Sequence, residues 1–331
     1  MARTRYASDP GLIARMGATM FLLGLVFVGF GVALAYIILY LPHYLHHGAA
    51  SNTSSTVGGT GIIAIAAIIG IGSAVASYFW SDKIALRTSG AKLVSPSDGP
   101  QAERLHAIVD RLCALADMPK PRVAIAPTHM PNAFATGRSS KVAVVCATEG
   151  ILDKLNNDEL EGVLAHEMSH VAHKDVAVMT IASFLGIVAA LMVRFAFYSE
   201  LFGGGGRGRG GNNNSQSALL IIPIMLLSIV VYSVSFLLIR LLSRYRELAA
   251  DRSGALLTGQ PSALMSALQK VTGEMALIPM KDLRAAEPLN TFYFAPALRP
   301  GTNNIATIFS THPSLKRRLA ELEKISKQLS R

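Results

Sequence analysis

The chain is organised around residues 160–175, Leu-Glu-Gly-Val-Leu-Ala-His-Glu-Met-Ser-His-Val-Ala-His-Lys-Asp. Within this stretch, His166, Glu167 and His170 form the pattern H-E-x-x-H. On a helix, two histidines four residues apart lie one turn apart on one face, so both rings can reach one metal ion. Zinc accepts imidazole nitrogen readily, and a glutamate beside the first ligand can take a proton from a water at the metal. The stretch therefore predicts a helix that carries a zinc site.

The residues before the motif predict where this helix begins. Asn156 is a good N-cap, and Glu159 three residues later completes a capping-box pattern. Leu155 and Leu160 stand at the two positions of a hydrophobic staple. Four apolar residues recur at helical spacing and predict a buried face: Leu160, Val163, Leu164 and Val171. A chance occurrence of the motif on an ordinary amphipathic helix is the alternative interpretation.

The composition predicts a membrane protein. Hydrophobic residues make up 51% of the 331 residues, charged residues only 16%, and the mean hydropathy is +0.39. A chain of this composition is too apolar to be an ordinary soluble domain. The net charge of +10 comes from basic residues that flank apolar runs, with no basic-aromatic module, so it indicates membrane orientation rather than nucleic-acid binding. Two cysteines, Cys113 and Cys146, form no disulfide framework, which is typical of a reducing cytosolic face.

Four long apolar runs divide the chain into membrane and soluble segments. The segments predicted are a cytosolic N-terminus (1–15), transmembrane helices at 16–41 and 57–80, a cytosolic catalytic segment (81–175), a third transmembrane helix (176–198), a Gly/Asn-rich external loop (199–217), a fourth transmembrane helix (218–242) and a second cytosolic catalytic segment (243–331). A cleaved signal peptide is the alternative for the first run, because Ala33-Leu34-Ala35 resembles a cleavage site. The apolar run continues through Leu39, which favours an uncleaved anchor.

The first soluble segment predicts a helix and a small sheet before the histidine motif. Residues 101–116 are amphipathic, and three short β-prone runs follow, at Arg122–Ala126, Asn132–Thr136 and Lys141–Ala147. Residues 273–310 are long and irregular enough to form a cover over an active-site cleft. The predicted fold class is a mainly α membrane protein, with transmembrane helices and a cytosolic α+β zinc metallopeptidase domain that contains a small β-sheet.

A catalytic zinc needs a third protein ligand, and several candidates are excluded. His173 lies seven residues beyond His166, about 10 Å along a straight helix, so these two and His170 cannot meet one ion. A further histidine six residues after His170 is absent, since Val176 stands there. Glu200 follows the third apolar run and would emerge on the opposite side of the membrane.

Glu247 is the predicted third ligand. The third and fourth apolar runs form a hairpin that returns the chain to the side it left, beside the histidine helix. Asp251 lies four residues after Glu247 on the same helical face, where it can accept a ring N–H from a zinc-bound histidine. The alternative is that Glu247 forms an exposed ion pair at the membrane edge with Arg244 or Arg246.

With those residues in place, the sequence resembles the integral-membrane zinc metalloproteases of the HtpX heat-shock protease type, relatives of the CAAX prenyl endopeptidase. The resemblance covers nearly the whole chain, including H-E-M-S-H, the membrane hairpin and Arg-Glu-Leu-Ala-Ala-Asp at 246–251. Pro131–Gly137 looks like the family's substrate-strand motif, and residues 311–318, with His312 and Arg318, look like its C-terminal motif. The Gly/Arg/Asn-rich insert at 203–217 is unlike a compact family loop.

The resemblance implies roles for two further groups of residues. It implies an edge strand that binds the substrate as an extended chain, formed by Asn132, Ala133, Phe134 and Ala135. It also implies that His312 hydrogen-bonds the developing oxyanion and that Arg318 steadies this arrangement. A plain hairpin strand, and a histidine that merely precedes a helix at Pro313, are the alternatives.

The expected protein is a zinc endopeptidase of the HExxH-plus-glutamate type with one Zn²⁺ per chain. We expect a multi-pass protein of the plasma (inner) membrane whose active site faces the cytosol. The expected partners are the lipid bilayer and polypeptide substrates, namely damaged or misfolded membrane proteins, and not nucleic acid. Two alternatives remain: a non-enzymatic membrane adaptor with a structural metal site, and a protease that processes prenylated proteins.

Overall fold

The computed structural model describes residues 10–40, 82–137, 139–203, 214–275 and 312–330, with a few single positions between 68 and 80. The chain divides into two compact units. Met1–Met16, Ser77–Met179 and Arg240–Arg331 form the first unit, and Gly17–Ala76 and Thr180–Ile239 form the second. All the site residues predicted from the sequence fall in the first unit.

The described elements are mostly helices, with one small sheet. The helices are α1 (Pro10–Leu39), α2 (Pro100–Ala116), α3 (Glu149–Lys154), α4 (Asn157–Ala172), α5 (Asp175–Gly203), α6 (Asn214–Thr258), α7 (Pro261–Met275) and α8 (Leu315–Leu329). Residues 82–89 are also helical. The strands are β1 (Lys92–Leu93), β2 (Arg122–Ala126), β3 (Ala133–Thr136) and β4 (Val144–Thr148). The predicted fold class, mainly helical with a small sheet, is confirmed.

Helix α4 begins where its sequence predicts. The Asn156 side chain accepts a hydrogen bond from the Glu159 N–H at 2.9 Å, and the Glu159 carboxylate accepts one from the Asn156 N–H at 3.0 Å. This reciprocal pair is the predicted capping box. Leu155 and Leu160 are buried in the same hydrophobic cluster. The start of α4 is therefore fixed, and this sets the directions in which the later residues of the helix point.

Strand β3 lies at one edge of the four-stranded sheet, whose order is β1-β2-β4-β3. It runs antiparallel to β4 with Phe134 opposite Cys146, and the Thr148 N–H donates to the Asn132 carbonyl at 2.9 Å. Because bonded and non-bonded pairs alternate in an antiparallel ladder, the bonded positions of this edge are 132, 134 and 136. The backbone groups of Ala133 and Ala135 therefore point away from the sheet.

The core of the first unit surrounds α4. Its largest fully buried apolar side chains come from α2, α3, α4, α7 and α8, namely Leu105, Leu112, Ile151, Leu160, Leu164, Met168, Leu264, Leu268 and Leu322. Each such side chain contributes roughly 1.5–3 kcal/mol when removed from water. Helix α7 comes close enough that a Cβ added at Gly162 would lie 3.3 Å from the Leu264 Cα. This apolar packing holds α4 firmly while its last turns remain available for polar residues.

The second unit contains the apolar parts of α1, α5 and α6. Phe30 and Leu34 of α1 pack with Ala189 of α5 and Val231 of α6 in one buried cluster. The outer faces remain apolar, with exposed side chains that include Phe21, Val28, Val32, Leu226 and Val230. Within the described residues, two helices are long and apolar enough to cross a membrane, at Ile13–Ile37 and Ile222–Thr258. An exposed apolar surface of this extent fits a lipid environment.

The predicted transmembrane segments can be compared with these helices. The first (16–41) overlaps α1, and the fourth (218–242) lies inside the 45-residue helix α6. The third (176–198) lies inside α5, whose described apolar stretch is Val178–Leu191. Most of the second (57–80), the centre of the external loop (204–213) and most of the predicted cover (273–310) lie outside the described residues, so these remain predictions.

Candidate active site

Helices α4 and α6 bring the three predicted metal ligands together. His166 and His170 project from the last turns of α4, with ring centroids 4.9 Å apart. The Glu247 carboxylate reaches both rings, with Oε2 3.6 Å from His166 Nε2 and Oε1 3.5 Å from His170 Nε2. One ligand atom from each of the three residues lies within 4.8 Å of the others. Within the part of the chain that the structure describes, this is the one such cluster of His, Cys, Asp or Glu.

The other ring nitrogen of His166 faces Asp251, as the sequence predicts. His166 Nδ1 lies 2.9 Å from Asp251 Oδ1. The same carboxylate accepts two hydrogen bonds from Arg318, at 2.7 Å from Nε and 2.6 Å from Nη2. Arg318 is among the largest fully buried side chains. Burial opposes its charge, but the Asp251 carboxylate beside it raises the pKa of Arg318 further above its ordinary value. Asp251 is thus held in place by a buried cation.

His170 has a partner of the same kind that the sequence did not predict. Its Nδ1 lies 2.5 Å from Asp175 Oδ2, and Arg246 Nη2 lies 2.8 Å from the same oxygen. Both side chains are largely buried, with exposed fractions of 5% for Asp175 and 12% for Arg246. Burial opposes ionisation of Asp175, but Arg246 and His170 together lower its pKa to about 2. The alternative in which Arg246 forms an exposed ion pair with Glu247 is therefore not what is found, because Arg246 pairs with Asp175 inside the protein.

A sharp turn between α4 and α5 places Asp175 beside His170. His173 is the C-cap of α4, and Lys174 adopts a φ of 56°, in the left-handed region. Asp175 then begins α5. A single left-handed residue is a common way to end a helix, and here it turns the chain back against the last turn of α4.

Glu167 lies against the outer edge of the sheet, at β3. Its Oε2 accepts a hydrogen bond from the Ala135 N–H at 3.2 Å. This N–H is one of the backbone groups that the β3 register directs away from β4. The predicted general base and the predicted substrate strand, Asn132, Ala133, Phe134 and Ala135, are therefore neighbours in the structure.

His312 also reaches the cluster from the C-terminal part of the chain. Its Nδ1 lies 3.0 Å from Glu247 Oε2, and its side chain is buried. Ser314, two residues later, caps α8 by accepting a hydrogen bond from the Arg317 N–H. The start of α8 thus places both His312 and Arg318 at the site.

Gly254 lets α6 approach α4 at the first histidine. A Cβ added at this position would lie 2.9 Å from the His166 backbone nitrogen. Only glycine allows this approach without a shift of one helix. The close contact explains how Glu247 and Asp251, which precede Gly254 on α6 by about two turns and one turn, can both reach the rings of α4.

The buried charges of the cluster do not cancel. With both imidazole rings neutral and every carboxyl ionised, four carboxylates face two guanidiniums, an excess of two negative charges: Glu167, Asp175, Glu247 and Asp251 against Arg246 and Arg318. Burial opposes a charge on His166, but its contacts with Asp251 and Glu247 raise its pKa to about 9, so a proton on this ring offsets one of the two charges at neutral pH. A divalent cation would supply the remaining charge and leave the rings neutral.

The roles of two residues of the site, Asp175 and Arg246, were not predicted from the sequence. A signal for these roles did exist. A histidine that binds a metal through one nitrogen usually donates its other N–H to an acceptor, and Asp251 can serve only one of the two rings. The second ring therefore required a second acceptor.

Comparison with known proteins gives the family. Residues 100–326 match the family described as Peptidase family M48. Protease HtpX homolog 1 of Streptomyces coelicolor is 50% identical over 329 residues, which cover 99% of this chain and 97% of that protein. Protease HtpX homolog 2 of Methanosarcina mazei is 48% identical, with coverage of 99% and 100%. The Protease HtpX homolog of Moorella thermoacetica is 47% identical, with coverage of 99% and 98%.

These matches extend over the histidine helix, the membrane helices and the C-terminal helix alike. They confirm the resemblance noted from the motifs, and they favour neither the adaptor nor the prenyl-processing alternative. The chain belongs to peptidase family M48, a family of zinc-dependent metalloproteases, and within it to the membrane-bound HtpX type.

Proposed function

We propose that this chain is a zinc endopeptidase of the HExxH-plus-glutamate type, in which His166, His170 and Glu247 hold one zinc ion and Glu167 is the general base. The observation that carries the proposal is the convergence of three ligand atoms within 4.8 Å from two helices. Two imidazole nitrogens and one carboxylate oxygen form a common ligand set for a catalytic zinc, which keeps a further position open.

The surroundings of the three ligands fit a divalent metal. Both histidines direct Nε2 toward Glu247 and Nδ1 toward an aspartate, so each ring can present one nitrogen to the metal. With both rings neutral, as metal ligands must be, the excess of two negative charges in the cluster matches the charge of Zn²⁺. Asp175 and Asp251 are bound to arginines and ring nitrogens, which leaves neither as a fourth ligand of a closed structural site.

The reaction assigned to this site is hydrolysis of a peptide bond. Zinc, when bound, polarises the scissile carbonyl and lowers the pKa of an attacking water. Glu167 takes the proton of that water and later delivers it to the leaving amine. His312 donates a hydrogen bond to the developing oxyanion, and Arg318 steadies the site through Asp251.

The proposed substrate site is strand β3. The N–H and C=O groups of Ala133 and Ala135 point away from β4, the direction in which an extended chain would pair, and a substrate would take over the Ala135 N–H that Glu167 now accepts. Pairing through backbone groups holds many sequences with little preference. That property suits the degradation of damaged or misfolded proteins, including membrane proteins, in quality control under stress.

The decisive test replaces Glu167 by glutamine. Glutamine has the shape of glutamate but cannot take the proton, so Glu167→Gln should retain zinc and lose hydrolysis of casein or a peptide by at least about 10²-fold. Glu161→Gln is the matched control, since Glu161 is also a buried glutamate of α4 but lies near Arg111 instead of the cluster. Zinc content and hydrolysis are measured on the purified full-length proteins. Undiminished hydrolysis by Glu167→Gln removes the mechanism.

We further propose a multi-pass protein of the plasma (inner) membrane with its site at the cytosolic face. The support is the arrangement of apolar runs, together with α6, which carries both an apolar segment and Glu247. Cysteines introduced at 48–56 and 203–217 should react with an impermeant reagent added to intact cells, and cysteines at 90–130 and 250–330 should not. The native thiols, Cys113 and Cys146, are buried and give little background. External labelling at residue 260 would contradict the orientation.

A further inference from the structure

We propose that Asp175 and Arg246 form a positioning pair that orients His170 for metal binding. This inference rests on the proposed zinc site, but not on the proposed proteolytic reaction. Neither residue belongs to the three-ligand cluster, and both act through the ring of His170.

The geometry gives Asp175 a specific role at the ring. Its Oδ2 lies 2.5 Å from His170 Nδ1, while Nε2 of the same ring lies 3.5 Å from the Glu247 carboxylate. An imidazole that donates from Nδ1 has its lone pair on Nε2, so the Asp175 contact selects the tautomer that can bind a metal at Nε2. It also fixes the angle of the ring about its bond to Cβ.

Arg246 holds Asp175 in the position that this role requires. The guanidinium donates to the same oxygen that faces His170, at 2.8 Å. A hydrogen bond between two charged groups is stronger than a neutral one and restricts both partners. The carboxylate therefore cannot turn toward solvent without leaving a largely buried cation unpaired, which is costly.

The pair repeats, from different elements, the arrangement at the other histidine. His166 faces Asp251, which is held by Arg318. In both cases an imidazole Nδ1, a carboxylate and a guanidinium follow one another in the interior. Each of the two rings thus has a carboxylate at Nδ1 and a guanidinium behind that carboxylate. This repetition indicates that both ion pairs serve to orient a metal-binding ring, because an ion pair needed only for packing would not have to contact either ring.

The position of the pair also connects the three helices that build the site. Asp175 is the first residue of α5, His170 belongs to the last turn of α4, and Arg246 directly precedes Glu247 on α6. The helix that supplies the third ligand therefore also holds the second ligand in place. A shift of α6 at this point would disturb Glu247 and the support of His170 together.

The test measures metal binding by the full-length protein. Asp175→Asn preserves the size of the side chain but removes its charge, and the amide can present N–H where the ring needs an acceptor. Zinc affinity should fall about 10- to 100-fold, as for other partners of metal-bound histidines, and Asp251→Asn should give a loss of the same order. Competitive titration with a chelator gives the affinities. The visible spectrum of the cobalt(II) form, which responds to ligand geometry, should change as well.

The matched control is Asp82→Asn. Asp82 is also a buried aspartate paired with an arginine, since its Oδ2 lies 2.7 Å from Arg122 Nη2. Its loss should leave the zinc affinity within about twofold of wild type, because its partner is Arg122 and not a histidine of the cluster. Thermal unfolding of the metal-free proteins separates a binding defect from a folding defect. We expect Asp175→Asn to weaken zinc binding clearly while the unfolding temperature of the metal-free protein changes little.

A double substitution tests whether Arg246 acts through Asp175. Arg246→Gln alone should weaken zinc binding, and the double variant Asp175→Asn/Arg246→Gln should lose little more than Asp175→Asn, because the two residues share one contact. Independent, additive losses would overturn this coupling. Wild-type zinc affinity and an unchanged cobalt spectrum in Asp175→Asn would overturn the proposal itself.

Two further outcomes are informative. If Asp175→Asn does not fold, Arg246→Lys takes its place, since lysine keeps the charge but not the guanidinium geometry, and unchanged zinc affinity there overturns the proposal. If Glu167→Gln still hydrolyses peptides while Asp175→Asn binds zinc weakly, the proposed reaction fails and the positioning pair stands.

Discussion

Buried acidic groups lie at both ends of α4, but the charges of their partners differ. At the N-terminal end, Glu159 accepts hydrogen bonds from Ser266 Oγ at 2.6 Å, from Lys270 Nζ at 2.7–2.8 Å and from the Asn156 N–H. Its charge is matched by groups of the protein itself. At the C-terminal end, the carboxylates around the two histidines outnumber the arginines by two. The charges of the protein balance at one end of α4, and at the other end the carboxylates are in excess.

Charge balance, and not burial, separates the structural carboxylate of α4 from the functional ones. Burial alone does not distinguish the ends, since Glu159 and Glu247 have similarly low exposure, 3% and 6%. What distinguishes them is the balance of charge among their partners. The comparison therefore predicts that substitutions at one end change metal binding, and that substitutions at the other end change only stability.

The largest expected effect is that of Glu247→Ala. This change removes a ligand atom and a negative charge, so zinc affinity should fall by more than the roughly 10- to 100-fold typical of partners outside the ligand set. Competitive zinc titration measures it, with Glu161→Ala as the control for loss of a buried glutamate. Wild-type zinc binding by Glu247→Ala would exclude Glu247 as the third ligand, and Glu200→Ala would then become the variant to examine.

An intermediate effect is expected for Gly254→Ala. The new Cβ would meet the His166 backbone nitrogen at 2.9 Å, so α6 or α4 must shift. Overpacking of this kind costs about 1–3 kcal/mol of stability, and the shift should weaken zinc binding because Glu247 lies on the displaced helix. Both are measured, by thermal unfolding and by titration.

The control for that variant is Gly273→Ala. An added Cβ meets nothing within 4 Å at Gly273, and alanine in a helix is more favourable than glycine by up to about 1 kcal/mol. This variant should be as stable as wild type or slightly more so, with unchanged zinc affinity. If both glycine variants behave alike, the contact between α6 and α4 does not set the ligand geometry.

The smallest effect is expected for Glu159→Gln. Burial opposes the charge of Glu159, but Lys270, Ser266 and the Asn156 N–H hold its pKa below the ordinary value. A carboxyl with a lowered pKa stabilises the fold above its unfolded pKa of about 4.3, and this contribution is lost as the pH falls through the folded value. Glu159→Gln should therefore lower stability by about 1.5 kcal/mol near neutral pH, and the difference should shrink in acid.

Thermal unfolding at several pH values measures this effect, and zinc titration completes the comparison. Glu323→Gln is the control, because Glu323 forms only an exposed pair with Lys327 and its loss should change little. Zinc affinity should remain at the wild-type value in both variants. A clear loss of zinc binding in Glu159→Gln would mean that the two ends of α4 are not independent.

Much of the site could be predicted because its residues obey short-range rules. The spacing of His166 and His170 places both on one helical face, and Glu247 and Asp251 repeat the same spacing on α6. The return of α6 to the site followed from a hairpin of apolar runs. Each step depends only on helical periodicity and on the cost of polar groups in a membrane.

The missed residues depend on contacts that periodicity does not encode. Asp175 reaches His170 only because Lys174 takes a left-handed conformation, which a lysine adopts rarely and a sequence pattern does not announce. The need for glycine at position 254 arises because α6 crosses α4 there, and no local sequence pattern predicts where two helices cross. The last β-prone run, 141–147, becomes a strand only from Val144 to Thr148, because the Val142 N–H bonds to the Ser139 carbonyl in a turn.

Zinc binding at the carboxylate-rich end of α4 would also tie the lifetime of the protein to the supply of this metal. A ligand that binds only the folded chain stabilises it by about 2.7 kcal/mol when its free concentration is about one hundred times the dissociation constant. A newly made chain would lack this contribution until it bound an ion. In a zinc-starved cell, the protein would therefore unfold more often than in a zinc-replete one.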